Sequence, residues 1–297
     1  MKTKLLLNPG TGWSGTTPFY YTLRDCNYCF AGYKKEFHYL QMMYVDNKKF
    51  TEWMTKRYTD TNIVDFRTKK LPEITREWGK DYYTELFSKP ATFGNYIGHM
   101  QRMDSLYPEY HAVCDFSNYI IGLPEKFLTA HYNAIKDIFD LRVTFLIADP
   151  VFRYYQEVGG MIHQYHTNKH KREKMSILWK NEDMIVDHYI RNKNQQKLFK
   201  YLVERLRFSA NCNYESNYDK LCRSYGKKNV LLIKMERFWD SSYYNQEIDR
   251  LSEFLDYQVS GLYPNAYCGG EGSDLNDQNT EIEPLSDELY NWAKDKL

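Results

Sequence analysis

The sequence has no apolar run that approaches the roughly 18–20 residues needed to cross a bilayer. Leu5-Leu6-Leu7, near its start, is also too short for the apolar part of a secretion signal, and Asn8-Pro9-Gly10 ends it at once. The chain therefore reads as soluble and cytoplasmic, with no membrane partner. Excess charge is missing as well. Forty Lys and Arg stand against 39 Asp and Glu, a formal net charge of +1, so no global field favours nucleic acid. Cysteine is sparse and scattered. Of six cysteines, only Cys26 and Cys29 have suggestive spacing. No second Cys or His pair at matching spacing accompanies them, so they read as reduced thiols and not as a metal site. No internal repeat or linker breaks the 297 residues, which is enough chain for one large α/β core.

What is there begins with Lys4-Leu5-Leu6-Leu7-Asn8-Pro9-Gly10-Thr11-Gly12-Trp13-Ser14-Gly15-Thr16-Thr17. A short apolar strand runs into a glycine-rich turn, and the amphipathic segment holding Phe19, Tyr20 and Leu23 follows as a helix. Glycines let backbone approach an anion, and the free N–H groups at a helix start point at it. The spacing from Gly10 to Gly15-Thr16-Thr17 is that of a P-loop, with Thr16 where a nucleotide triphosphatase carries lysine. That substitution argues against ATP or GTP hydrolysis and leaves a P-loop kinase the weakest reading. A plain glycine-rich turn would share the glycines. The strand before the turn and the hydroxyls of Ser14, Thr16 and Thr17 favour a phosphate cradle.

Further along, Lys34-Lys35-Glu36-Phe37-His38-Tyr39 gathers two cations, a carboxylate and an imidazole. On an extended segment Glu36 and His38 share a face, because side chains alternate. A carboxylate beside basic groups stays ionised at neutral pH and can act as a base. A solvated charged turn is the bland alternative. Apolar stripes predict helices around Phe50–Arg57, Ile74–Leu86 and Phe93–Met100, and another from Pro124 to about Asp140. The stretches Ala112–Tyr119, Arg142–Ile147 and Gly226–Ile233, with their continuous apolar runs, predict buried parallel strands. Helical periodicity resumes over Asp183–Phe208, and later helices are expected around Tyr214–Cys222, Ile248–Leu255 and from Ser286. Gly159-Gly160 is an awkward pair for a helix interior. His163, His166 and His170 fall near one helical face beside a basic run from Lys169 to Lys174; without an acidic or cysteine partner they read as a solvated face or a basic lip, not as a metal site. The stretch 265–280 is polar, glycine-rich and acidic, and reads as a loop. The alternation of strands and helices predicts an α/β fold, a three-layer sandwich with a central parallel sheet flanked by helices, P-loop-containing, in one domain spanning 1–297.

Several of these stretches, in this order, resemble the P-loop sulfotransferases that use 3′-phosphoadenosine 5′-phosphosulfate (PAPS), most closely the glycosaminoglycan and bacterial types. Ser14-Gly15-Thr16-Thr17 is similar to the family's Ser/Gly-Gly-Thr-Thr loop, and Lys35-Glu36-Phe37-His38 to its Lys-Glu-x-His stretch. Asp115-Phe116-Ser117 resembles its Asp-Phe-Thr/Ser element, and Asp149-Pro150 with Arg153 its Arg-Asp-Pro-x-x-Arg-x-x-Ser element. The strand at Val230 and the helix after it follow the family's late pattern. The resemblance implies a sulfuryl transfer from PAPS to a hydroxyl or amine, with a saccharide as acceptor and no metal. It implies Glu36 as the base, His38 beside it, and Lys35 (or Lys34) as the cation. Gly12, Trp13, Ser14, Gly15, Thr16 and Thr17 would hold the 5′-phosphosulfate, and Asp149, Arg153 and Gln156 the 3′-phosphate. Trp13, Ala148 and Gln156 depart from the pattern: relatives carry Lys or Arg, Arg and Ser at those places. The alternative is a non-catalytic protein on the same fold that binds a nucleotide or a glycan.

Overall fold

In the computed structural model, five parallel strands lie in the order β2-β3-β1-β4-β5. They are β1 (Thr3–Leu7), β2 (Cys29–Phe30), β3 (Ala112–Asp115), β4 (Phe139–Ile147) and β5 (Val230–Lys234). The structure describes residues 2–10, 12, 14–32, 35–45, 48–59, 73–167, 184–204, 213–260 and 284–296. β1 is central, with Leu6 opposite both Cys114 of β3 and Arg142 of β4. Strands buried on both faces need apolar residues at successive positions, and β1 supplies them. Leu5 and Leu7 enter one core with the helices Lys48–Thr59, Phe93–Leu106, Glu125–Ile135 and Tyr214–Tyr225. Leu6 enters the other, with Phe19, Tyr20 and Leu23 of the helix Thr16–Asp25 and Ile248, Leu251 and Leu255 of the helix Tyr244–Leu255. The architecture is the expected three-layer α/β sandwich with a parallel sheet in the middle.

A third apolar cluster sits beside the sheet, where the helices Pro150–Thr167, Met184–Arg191, Gln195–Glu204 and Asp287–Lys294 meet. The predicted helix over 183–208 is two helices, divided at Asn192–Asn194, where Lys193 takes a φ of 52°. The helix from Pro124 stops at Ile135, and β4 begins at Phe139, three residues before the predicted Arg142. Gly159 and Gly160 do lie inside a helix. A Cβ on Gly159 would stand 2.8 Å from Nε2 of Gln195, which donates to the Tyr155 carbonyl at 3.0 Å. Gly159 is the notch that admits Gln195 of the neighbouring helix. Among the described residues, no helix is long and apolar enough to cross a membrane. The basic run 169–174, His170 and the loop 265–280 lie outside the described residues.

Sheet order fixes where a ligand meets the strands. β1 leads leftward to β2, while β3 leads across β1 to β4, so the chain reverses direction around β1. In open parallel sheets the crevice at such a reversal, past the carboxyl ends of the strands, is the ligand site.

Candidate active site

The loop after β1 is anchored before it turns. Asn8 is buried, takes a hydrogen bond path to both neighbours through its N–H on the Asp115 carbonyl (2.9 Å) and its Nδ2 on Thr144 Oγ1 (2.9 Å), and so ties β3 and β4 to the loop's first residue. Gly15 then adopts a φ of 76° and opens the helix Thr16–Asp25 without a side-chain cap. Any other residue would be strained there, and its Cβ would meet Met235 Cε at 2.7 Å. No acidic residue occupies the first turn of that helix. Its N–H donors and positive dipole end therefore face the crevice without a carboxylate of their own.

Lys35 reaches this helix start from the next segment. Its ammonium donates to Thr17 Oγ1 at 2.9 Å and to Thr16 Oγ1 at 3.2 Å, and lies 3.4 Å from Glu36 Oε1. Glu36 is held at both oxygens. Oε1 accepts from Asn118 Nδ2 at 2.9 Å, and Oε2 is 3.1 Å from His38 Nε2. Its carbonyl accepts from the Tyr58 hydroxyl at 2.9 Å. The other ring nitrogen of His38 faces Gln41 Oε1 at 2.7 Å.

The pattern Glu36-Phe37-His38 works by sending its middle residue inward. Phe37 stacks on His99 (4.1 Å between ring centres) and on Tyr39 (5.2 Å) inside the core, which leaves Glu36 half-buried with the buried His38 ring against it. His38 is not extended, however: its φ is 56°. Its N–H donates to Ser117 Oγ at 2.6 Å, and that hydroxyl donates in turn to Asp115 Oδ1. Asp115 is fully buried at the end of β3 and also accepts from the Ser117 N–H (3.0 Å) and the Tyr96 hydroxyl (3.4 Å). Burial pushes its carboxyl above the ordinary aspartate range, and the Ser117 hydrogen bonds and the nearby His38 pull it back down. The strand end thus clamps the left-handed residue that carries the imidazole.

The second predicted element behaves differently. Arg153 is 1% exposed. Its guanidinium donates to the Gly12 carbonyl at 3.1 Å and to Glu157 Oε2 at 2.9 Å, one turn along its own helix. Burial raises the Glu157 carboxyl, and Arg153 opposes that rise. Arg153 therefore holds the loop's backbone. Asp149 caps the helix: Oδ1 accepts from the Phe152 N–H at 2.7 Å and Oδ2 from the Tyr290 hydroxyl at 2.8 Å. The Asp149 N–H is itself taken by Glu236. Gln156 is half-buried and lines a hollow of about 470 Å³ with Phe152, Tyr155, Tyr290 and Asp287.

Of the predicted residues, Thr16, Thr17, Lys35, Glu36 and His38 come together in one connected group, and Gly15 shapes the turn beside it. Ser14 is fully buried in that turn. Gly12 offers its carbonyl to Arg153. Trp13 and Lys34 lie outside the described residues. Asn118, Tyr58 and Asn8 were not named as site residues, and Ser117 only as part of the Asp115-Phe116-Ser117 element. Asn118 and Ser117 had a visible signal, since they follow a buried strand directly. Tyr58 had none, being one aromatic in an ordinary helical stripe.

The sequence matches no model of a known protein family and no curated protein at a significant level. Among solved structures, the crystal structure of a sulfotransferase from Alicyclobacillus acidocaldarius aligns over 93% of this chain and 89% of its own, at 14% identity and a TM-score of 0.44.

Proposed function

We propose that this chain is a sulfotransferase, moving a sulfuryl group from a nucleotide 5′-phosphosulfate to a hydroxyl or amine, with a saccharide as the acceptor class. The observation that carries this reading is Lys35. One ammonium touches both threonine hydroxyls at the helix start and lies 3.4 Å from Glu36, so an anion cradle and a base share one cation. A kinase would want a lysine in the loop itself and carboxylates for magnesium.

The 5′ half of a PAPS-like donor fits the residues present. Thr16, Thr17, the helix N–H groups and Lys35 would hold its phosphosulfate, which supplies an electrophilic sulfur and a phosphate leaving group. Lys35 opposes the negative charge that grows on the departing phosphate. Glu36 takes the proton from the acceptor. Asn118 and His38 pin the two carboxylate oxygens, which fixes the direction from which a hydroxyl must approach.

The test combines binding and transfer. Adenosine nucleotides with a 5′-phosphate should raise the melting temperature, by about 2.7 kcal/mol of stabilisation at roughly 100 times the dissociation constant. Lys35→Ala should remove that shift. Labelled sulfate should pass from phosphosulfate donor to an oligosaccharide pool, and Glu36→Gln should slow this by about 100- to 10,000-fold. Nucleotide binding with no transfer to any acceptor, and no effect of Glu36→Gln, would favour a non-catalytic nucleotide-binding protein. A larger shift with magnesium and ATP would favour a kinase.

A further inference from the structure

The donor expected from the family carries a second phosphate, on the 3′ oxygen of its ribose, and the chain's residues do not fit that group. Three side chains of the Ala148–Gln156 element stand at the places that would meet it. Ala148 has no charge. Arg153 is 1% exposed, with its guanidinium already on the Gly12 carbonyl and on Glu157. Gln156 is neutral. The helix start that follows is no better. Its N-terminal donors are met by carboxylates, the Phe152 N–H by Asp149 and the Asp149 N–H by Glu236. The adjoining hollow has aromatic faces, Gln156 and Asp287, and among the described residues no cation lines it. A phosphate brought there would meet the carboxylates of Asp149, Glu236 and Asp287, two neutral side chains and an arginine already engaged, where a 3′-phosphate site wants charge-assisted donors.

The contrast lies between two places that Arg153 joins, since its guanidinium holds the Gly12 carbonyl of the loop after β1. The 5′ end is cationic, built from Lys35 and an uncapped helix start. The 3′ end is anionic and capped. We propose that the donor is a nucleoside 5′-phosphosulfate without a 3′-phosphate, of the adenosine 5′-phosphosulfate class. This rests on the sulfotransferase reading above and narrows its donor. The side chains at the 3′ end would then meet a ribose hydroxyl, which Asp149, Glu236 or Gln156 can bind and which a phosphate site would leave unpaired.

The experiment compares adenosine 5′-monophosphate with adenosine 3′,5′-bisphosphate on the full chain, by calorimetry and by thermal shift at matched concentrations. These are the product nucleotides of the two donor classes, and neither needs an acceptor. The monophosphate should bind as tightly as the bisphosphate or more tightly. A true 3′-phosphate site should instead favour the bisphosphate by about tenfold or more, because charge-assisted phosphate contacts are strong. That second result would overturn the proposal and leave the sulfotransferase reading standing. If Lys234→Ala then erased the preference, this exposed residue at the end of β5 would be the cation responsible. Binding of neither nucleotide by the folded protein would overturn the sulfotransferase reading, and the donor proposal with it.

Discussion

His38 carries its ring in a backbone conformation that few residues other than glycine adopt, with φ at 56°. Such a conformation costs of order 1–3 kcal/mol and persists only where neighbours fix it. Here the neighbours are the Ser117 hydroxyl and, behind it, Asp115. Ser117→Ala should leave the His38 N–H buried without its acceptor and cost about 1–3 kcal/mol of stability. It should also move the His38 ring nitrogen signals in NMR, while Ser117→Thr keeps both near wild type. Unchanged ring signals in the alanine variant would mean that the hydroxyl does not hold the imidazole. At this scale the sequence was legible in part. Alternation brought Glu36 and His38 together, but the backbone that does so is not an extended strand; the Phe37 ring between them enters the core, and His38, itself buried, meets Glu36 Oε2. The pair Lys34-Lys35 gave no means of choosing the cation. Arg153 was legible as a residue at the site and not as one that grips the loop from beneath, because its partner Gly12 lies 141 residues away.

At the scale of elements, four of the five strands and most helices were readable because apolar spacing reports burial directly, while β2 is only two residues long and leaves no periodic run. Boundaries were not. The break at Asn192–Asn194 lies within a stripe whose apolar spacing continues on both sides, so periodicity alone had no reason to divide it. Gly159-Gly160 read as a flaw in a helix because propensity is local, whereas the cause is the Gln195 amide pressed against it from another helix. Gly159→Ala should therefore destabilise the protein by about 1–3 kcal/mol through overpacking, despite alanine's better helix propensity. In a Gln195→Ala background the same change should cost less, or even stabilise. Denaturant melts of the four variants in this cycle measure the coupling; additive costs would mean that the amide is not the obstacle.

For the whole molecule, two buried histidines set the response to acid. Burial holds His99 and His131 at a pKa of about 3, against 6.5 for an exposed imidazole. Both are neutral in the fold and take up protons when the chain opens. The stability they contribute is complete above about pH 6.5 and is lost as pH falls toward 3, each adding a slope of about 1.4 kcal/mol per pH unit in that window. Asp115 acts in the opposite sense: its raised pKa favours the fold at low pH, a contribution lost as pH rises through its folded value. Stability should therefore fall on acidification from pH 6 to 4, and His131→Phe should reduce the slope by about half of the histidine contribution, apart from its own cost at Tyr225, which His131 Nδ1 meets at 3.1 Å. Urea melts across that range test it; an unchanged slope would mean that His131 titrates normally in the fold.

The central place of β1 also has a consequence for the chain as it is made. Leu7 pairs with Asp115 on one side and with Val143 on the other, 108 and 136 residues later. On a ribosome adding roughly 5–20 residues per second, β1 waits about 7–27 s for its second neighbour to be synthesised. Until β3 is made its three leucines have no strand to pair with, and until β4 is complete one edge of β1 stays open, so a nascent chain halted before β4 is a natural client for a chaperone.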